Sequence, residues 1–298
     1  MRSAAVLYPG EMGCAVAKVL VAAGWSVCTH LWGPSLTCRG DAEAAAITNL
    51  GSLDEAVRSC EVVISLVPPA AAVDTAKAAA DAARRSGRHL LYLDANSIGP
   101  STMAAVAAAC DDAGLDCLDG SFIGSAADLG RRTRLYLSGA RASEIAAIMP
   151  ETFRATALGP KIGAASSFKL AFAGFNKGLV ALFLDVLEAG AAAGRPDELL
   201  QCLREFYPGT METLERLLPS YPLHAGRRAE EMDELAQWLA SEGRPSPCAE
   251  AARDVLRRAA ALGLDGARKW TFVEAVEAYV GGEQAGAEMG DDGPSSKP

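Results

Sequence analysis

Short β-branched runs alternate with alanine-rich helical stretches through the first half of the chain, and after about Gly163 the strand signal stops. Candidate strands lie at 4–8, 26–30, 62–67, 90–94 and 135–138; helical composition fills 13–23, 52–59, 70–85 and 101–113. Strand–helix–strand repetition dictates a mostly parallel sheet, because right-handed crossovers return each strand to the same edge direction and place helices on both faces. Ser52 and Glu55 have the spacing of a capping box at the start of the second helix. Beyond Gly163 the pattern is helical only: one long helix over 164–192, then 197–207, 210–218, 225–239 and 246–262. The expected fold is therefore α/β, a Rossmann-type doubly wound sheet over 1–160, followed by an all-helical domain over 161–280. The glycine-rich, acidic segment 281–298 reads as a disordered tail.

Charge narrows the partners. With 28 basic and 37 acidic residues the net charge is −9, which argues against binding nucleic acid or an anionic membrane. The first apolar run is broken at once by Pro9, Gly10 and Glu11, unlike a signal peptide. The apolar stretch 179–194 contains Asp185 and Glu188 and is too short to span a bilayer. Eight cysteines, at 14, 28, 38, 60, 110, 117, 202 and 248, form no C-x-x-C pair, and only His30, His89 and His224 could join them. Reduced thiols in a cytoplasmic protein, with no metal site, are expected.

The first strand runs into Tyr8-Pro9-Gly10-Glu11-Met12-Gly13 and then a helix. A dinucleotide fingerprint is G-x-G-x-x-G, and Tyr8 stands at its first glycine. Gly10 still lets the backbone approach a pyrophosphate and Gly13 still allows close helix–sheet packing. The helix start behind them presents unpaired N–H groups and a positive dipole end. From His30 to Arg39 the chain has no carboxylate to bond a ribose. Ser35, Thr37 and Arg39 are suited instead to a 2′-phosphate, which favours NADP(H) over NAD(H); alternatively Arg39 starts a solvated helix. Val67-Pro68-Pro69 and Asp94-Ala95-Asn96-Ser97 fall at two further strand ends, where ligands of such sheets bind. Asn96 offers both a donor and an acceptor to cofactor or substrate, unless the segment is simply an Asx turn.

On the long helix, Phe168, Phe172, Phe175, Leu179, Leu182 and Val186 recur at 3–4 spacing, the pattern of a buried stripe. Lys169 stands beside it, and Asn176 returns to nearly the same face about 10 Å further along the axis. A lysine on such a helix either snorkels to the surface or, desolvated, has a pKa suited to proton transfer.

Together these segments resemble the β-hydroxyacid dehydrogenase superfamily, the group related to 6-phosphogluconate dehydrogenase. The resemblance rests on P-G-E-M-G, V-P-P, D-A-N-S, the segment Asp119-Gly120-Ser121-Phe122-Ile123-Gly124, and Gly163 to Lys169 opening the helical half. It covers most of 4–280 and extends to the branch with a phosphogluconate-dehydrogenase-like C-terminal domain, in which a Lys-Gly pair, here Lys177-Gly178, follows. The resemblance implies an NAD(P)-dependent dehydrogenase or reductase, usually a homodimer through its helical domain, with the active site between domains. It makes Lys169 the general acid or base, places Asn96 near nicotinamide and substrate, and gives Ser121, Phe122, Ile123 and Gly124 to a substrate loop. Arg228 and Glu231 lie on a helix that faces the cleft in related proteins; a surface ion-pair face is the equal alternative. Two positions depart from the family: Ala173 replaces an asparagine, and Ile123 a serine that helps hold a carboxylate. Both make the pocket less polar. Arg131, Arg132 and Arg134 follow the loop, either attracting an anionic substrate or solvated. The expected activity is NADPH-dependent reduction of a small carbonyl compound. The alternatives are an imine reductase, which generally carries Asp or Tyr in place of Lys169, and a nucleotide-binding sensor that has lost catalysis.

Overall fold

The computed structural model describes residues 2–30, 46–265 and 268–289, with the backbone alone over 282–289. Ser35, Thr37 and Arg39 lie outside the described residues. Among the described residues eight strands form one sheet: β1 (Ser3–Leu7), β2 (Ser26–Thr29), β3 (Thr48–Asn49), β4 (Val62–Ser65), β5 (Leu91–Asp94), β6 (Asp116–Ile123), β7 (Arg134–Ser138) and β8 (Thr156–Ala157). Their order is β3-β2-β1-β4-β5-β6-β7-β8, and every neighbouring pair is parallel except β6 with β7. Strand order reverses between β1 and β4, which opens the crevice at their carboxyl ends.

Alternation along each strand feeds two cores. Ala4 and Val6 of β1, Val62 and Ile64 of β4 and Leu93 of β5 face one side, with Val16, Ala17 and Leu20 of α1 (Glu11–Ala22). Ala5, Leu7, Val63 and Tyr92 face the other. That side is covered by α2 (Leu53–Arg58), α3 (Ala72–Ser86) and α4 (Pro100–Asp111). α3 buries Ala72, Ala76, Ala79, Ala80 and Ala83, small side chains that bring its backbone close to the sheet. The capping box forms in part: the Glu55 N–H donates to Ser52 Oγ (3.2 Å), while Glu55 Oε2 accepts from the Gly51 N–H (2.9 Å) instead of that of Ser52.

Five elements differ from the sequence expectation, and two of them, β3 and β8, are two-residue strands too short to leave a pattern. β6 was legible only as a loop, because Asp116, Asp119 and Ser121 interrupt its apolar pattern. The short α5 (Ala142–Ile148) and the C-terminal α11 (Phe272–Met289) carry weak periodicity. α11 also continues through 281–289, into the segment whose composition reads as a tail.

Between α5 and α11 lie α6 (Ala164–Ala192), α7 (Pro196–Phe206), α8 (Pro208–Leu217), α9 (Tyr221–Ser241) and α10 (Pro247–Ala261). Prolines open α7, α8 and α10, where the missing N–H would have no helical acceptor. Val180, Leu184 and Leu187 of α6 pack with Met211, Met232 and Leu256. Gly174 permits the close approach of α9, since a Cβ there would sit 2.3 Å from Leu235 Cδ2. The chain divides into two compact units, Met1–Lys169 and Leu170–Pro298.

The buried stripe expected on α6 is on the wrong face. Phe168, Phe172, Phe175 and Leu182 are 42%, 48%, 70% and 63% exposed, whereas Leu170, Val180, Ala181, Leu184 and Leu187 are buried. The helix is apolar around most of its circumference, so periodicity does not select a side. For the same reason it is long and apolar enough to cross a membrane by length and composition, at a mean hydropathy of 1.6.

Candidate functional site

The turn after β1 is built from backbone. The Gly10 N–H donates to Tyr8 O (2.8 Å), and Gly10 then serves as N-cap of α1 with no side chain capping it. The first-turn N–H groups of Glu11, Met12 and Gly13 have no acceptor within the helix. Among the described residues no atom lies within 4 Å of where a Cβ on Gly10 would stand, whereas a Cβ on Gly13 would meet Tyr8 O at 3.2 Å and Val6 at 3.4 Å. Gly10 therefore allows approach from outside and Gly13 allows α1 to lie on the sheet. These features fit a dinucleotide pyrophosphate. Pro9 is buried and Met12 packs against the core, so both contribute by shaping the turn. At the end of β2, His30 Nδ1 bonds Leu50 O (3.2 Å), which fixes the ring.

Across the crevice, Asn96 ties two strand ends together. It is 2% exposed; its Oδ1 accepts from the Val67 N–H (2.6 Å), and its Nδ2 donates to Ser65 Oγ (3.0 Å) and Asp94 Oδ2 (2.7 Å). Its amide thus braces the scaffold, joining the ends of β4 and β5. It holds Val67 while Pro68 and Pro69 carry the chain outward, exposed, past the crevice.

Asp94 is 1% exposed and also accepts from the Asn96 N–H (3.0 Å). Burial pushes its carboxyl up to about 6, against the hydrogen bonds from Asn96. The folded protein therefore keeps this proton where the unfolded chain releases it. The stability this confers is complete below about pH 4 and lost as pH rises through 6, a change of about 3 kcal/mol. Urea unfolding of wild type between pH 4 and 7 should show that fall, and Asp94→Asn a flatter profile; parallel profiles would refute the assignment.

Lys169 comes to the same strand end. Its Nζ donates to Ser97 Oγ at 2.6 Å, and its charge reaches Asp94. The helix that carries it is anchored by Asp119 of β6, which is fully buried. Asp119 Oδ2 accepts from Ser138 Oγ (3.0 Å) and the Ser166 N–H (2.9 Å), and Oδ1 from Ser166 Oγ (2.6 Å). Register sets Asp119 beside Asp94 and lets β6 outrun β5, so 120–123 flank the D-A-N-S segment. Gly120 makes this approach possible, since a Cβ there would lie 2.7 Å from Leu93 Cδ1 and 3.0 Å from Asp94 O.

The other candidates separate. Ser121 is fully buried with its hydroxyl unpartnered among the described residues, and Phe122 is core, edge-on to Phe153 at 5.6 Å. Phe122 therefore packs in the core of the sheet domain. Ile123 is half-buried at the strand end, followed by the bend at Gly124, φ +129°. Arg131, Arg132 and Arg134 are exposed, Arg131 paired with Asp128 (3.0 Å). In the helical unit Asn176 is half-buried, Glu231 pairs with Lys177 and Arg227 at 2.6 Å each, and Arg228 stacks on Tyr221. Sequence reasoning reached Asp94 and Ser97 only as members of the D-A-N-S segment and Ser166 only within the segment that opens the long helix, and it did not single out Ser138. Among the described residues no group of three or more His, Cys, Asp or Glu is placed to hold a metal ion.

The family described as the NAD binding domain of 6-phosphogluconate dehydrogenase matches residues 5–157, and a domain of unknown function (DUF1932) matches residues 191–259. An uncharacterized 28.5 kDa protein in a 7S RNA 5′ region of Methanothermus fervidus is 28% identical over 190 residues, 62% of this chain and 70% of that protein. A solved conserved protein of unknown function, described as structurally similar to 3-hydroxyacid dehydrogenases, is 28% identical with a TM-score of 0.67, covering 89% of this chain and all of its own. The 3-hydroxyisobutyrate dehydrogenase of Salmonella typhimurium, 16% identical over 93% of this chain and 99% of its own, shares the fold with a TM-score of 0.69. With its Gly10–Gly13 turn at the reversal of strand order, and a match over half its length, the chain belongs to the family of the 6-phosphogluconate dehydrogenase NAD-binding domain.

Proposed function

We propose that the protein is an NADPH-dependent reductase of a small carbonyl compound, or the dehydrogenase of the matching alcohol, with Lys169 exchanging the proton. The observation that carries this reading is the 2.6 Å bond that holds Lys169 Nζ at Ser97, at the carboxyl end of β5 on the crevice side of the sheet. The nicotinamide supplies hydride; the chain supplies binding, orientation and the proton. N–H groups of Glu11, Met12 and Gly13 hold the pyrophosphate, and His30 lies where the adenosine half enters. Ser35, Thr37 and Arg39, in a segment without a carboxylate before Asp41, favour the 2′-phosphate of NADP(H). Ser97 keeps the ammonium oriented, and Asn96 and Asp94 hold that strand end still. Ile123 and Gly124 line the substrate side, so an apolar substituent suits the position better than a second carboxylate. The buried cysteines Cys14, Cys28, Cys60 and Cys110, none in a disulfide among the described residues, are in keeping with a cytoplasmic enzyme. The test is oxidation of NADPH and NADH against ketoacids, aldehydes and cyclic imines. Turnover of a carbonyl with NADPH preferred is expected; tight NADPH binding with no turnover of any compound would reject it.

We propose also that two copies associate through the helical domain. Phe172, Phe175 and Leu182 are exposed on α6 beside an open groove of about 500 Å³ that includes Gly178, Leu235 and Ala252. An apolar surface of this kind on one protomer calls for a covering partner. Sedimentation should show a dimer for wild type and a monomer for Phe175→Glu; an unchanged dimer would place the interface elsewhere.

A further inference from the structure

At the amino ends of β4 and β5, the edge of the sheet opposite the glycine turn, the sheet domain frames an open cleft of about 550 Å³. That volume is ample for a small molecule. Its floor is apolar. Val62 of β4, Leu91 of β5, Leu90 before it, Ile145 of α5 and Trp25 line it, each 6% exposed or less.

The rim is charged. Arg2 donates through Nη1 to Ile148 O (3.0 Å), and its guanidinium lies 5.8 Å from the centroid of the Trp25 ring. Arg88 donates through Nη2 to Cys60 O (3.1 Å). Both cations flank the start of β4: Arg88 bonds the carbonyl just before Glu61, and the Glu61 N–H donates to O of Ser3 (3.1 Å), the residue after Arg2. Arg141 is spent on Asp116 (2.7 Å) and Glu144 (2.5 Å). Arg2, Arg88 and Glu61, all exposed, make no ion pair among the described residues, and His89 completes the rim.

Each of the two unpaired arginines is fixed by a bond to a neutral carbonyl and keeps further N–H donors for an acceptor. Two cations against the single carboxylate of Glu61 leave one positive charge unmatched, which suits a monoanion. Water satisfies the exposed arginines in the free protein, so charge alone does not define a ligand. The floor adds the second requirement, since apolar surface in a concave site is best covered by an apolar group. A bare inorganic ion would meet only the rim, and an uncharged apolar molecule only the floor.

We propose that this cleft binds a small monoanion with an apolar body, a carboxylate on a branched aliphatic or aromatic group. Arg2 and Arg88 hold the carboxylate, and Val62, Leu90, Leu91 and Ile145 take the body. The site lies at the other end of the sheet from the Gly10 turn and does not depend on the reaction assigned to Lys169.

Calorimetric titration of the full chain with isovalerate and benzoate, and with isovaleramide and benzamide as uncharged counterparts, tests it. Saturable binding of at least one acid is expected, with its amide at least tenfold weaker and with affinity unchanged in saturating NADPH. Arg2→Gln and Arg88→Gln, both at exposed positions, should each weaken the acid about tenfold, the loss of one charge-assisted bond. Weakening by either supports the site, and preference for isovalerate or benzoate assigns the body. If neither acid binds saturably by about 10 mM, or if the amide binds as tightly as its acid, the site is refuted. Binding that survives both substitutions, or that NADPH displaces, belongs to the cofactor crevice or elsewhere and also refutes it.

Discussion

Lys169→Ala is expected to lower kcat for carbonyl reduction by about 10²- to 10⁴-fold, the usual contribution of a positioned general acid, while NADPH affinity stays within about twofold. The separation of effects follows from placement. Lys169 stands on α6 and bonds Ser97 beyond β5, whereas the pyrophosphate turn is made by Gly10 and Gly13 between β1 and α1. Removing the ammonium therefore takes away proton transfer and leaves the cofactor cradle intact. Lys169→Arg discriminates further. A guanidinium keeps positive charge but does not release its proton near neutrality, so activity should remain low. Ser97→Ala, which removes one bond to the lysine and keeps the ammonium, should cost less than Lys169→Ala. Full activity of Lys169→Ala on a ketone that wild type reduces would remove this residue from the chemistry.

How much of this arrangement was readable beforehand depended on whether the cause was local. β1, the glycine turn and α1 are encoded within twenty residues, and α6 spans 164–192 as its composition indicates. Alanine-rich α3 and α4 were equally plain, since helix propensity and spacing agree there. β6 was hidden because Asp119 and Ser121, buried polar residues, break the pattern that marks a buried strand. The role of Asn96 required knowing that Ser65 and Val67, about thirty positions earlier, end on the adjacent strand. Nothing near Asn96 in sequence says whether its amide faces a ligand or the scaffold. The sidedness of α6 was undecidable for the opposite reason: nearly every side is apolar, and only the position of α9 against Gly174 shows which face is inside. Sequence patterns thus located the crevice, while the hydrogen bonds that hold it together are made by contacts distant along the chain.

Asp119→Ala should be the most damaging single substitution in the sheet domain, lowering stability by about 4 kcal/mol in urea unfolding. The carboxylate accepts three hydrogen bonds in a fully buried setting, two from Ser166 and one from Ser138. Ser138 Oγ in turn accepts from the Ala165 N–H at 3.0 Å, so the substitution disturbs a second first-turn amide of α6. A negative charge at that helix start also opposes the positive end of the helix dipole, a further stabilisation that vanishes with it. Asp119→Asn keeps the shape but turns one acceptor into a donor facing a donor, so it should cost less than Ala removal of the whole group only if Ser138 or Ser166 rotates. Function should fall alongside stability. Lys169 is three residues beyond Ser166 on the same helix, and a loosened first turn lets the ammonium leave Ser97. At temperatures where Asp119→Ala remains folded, kcat should therefore drop while NADPH affinity holds. A loss below about 1 kcal/mol would show that Ser138 and Ser166 find other acceptors, and that β6 does not fix the helix bearing the lysine.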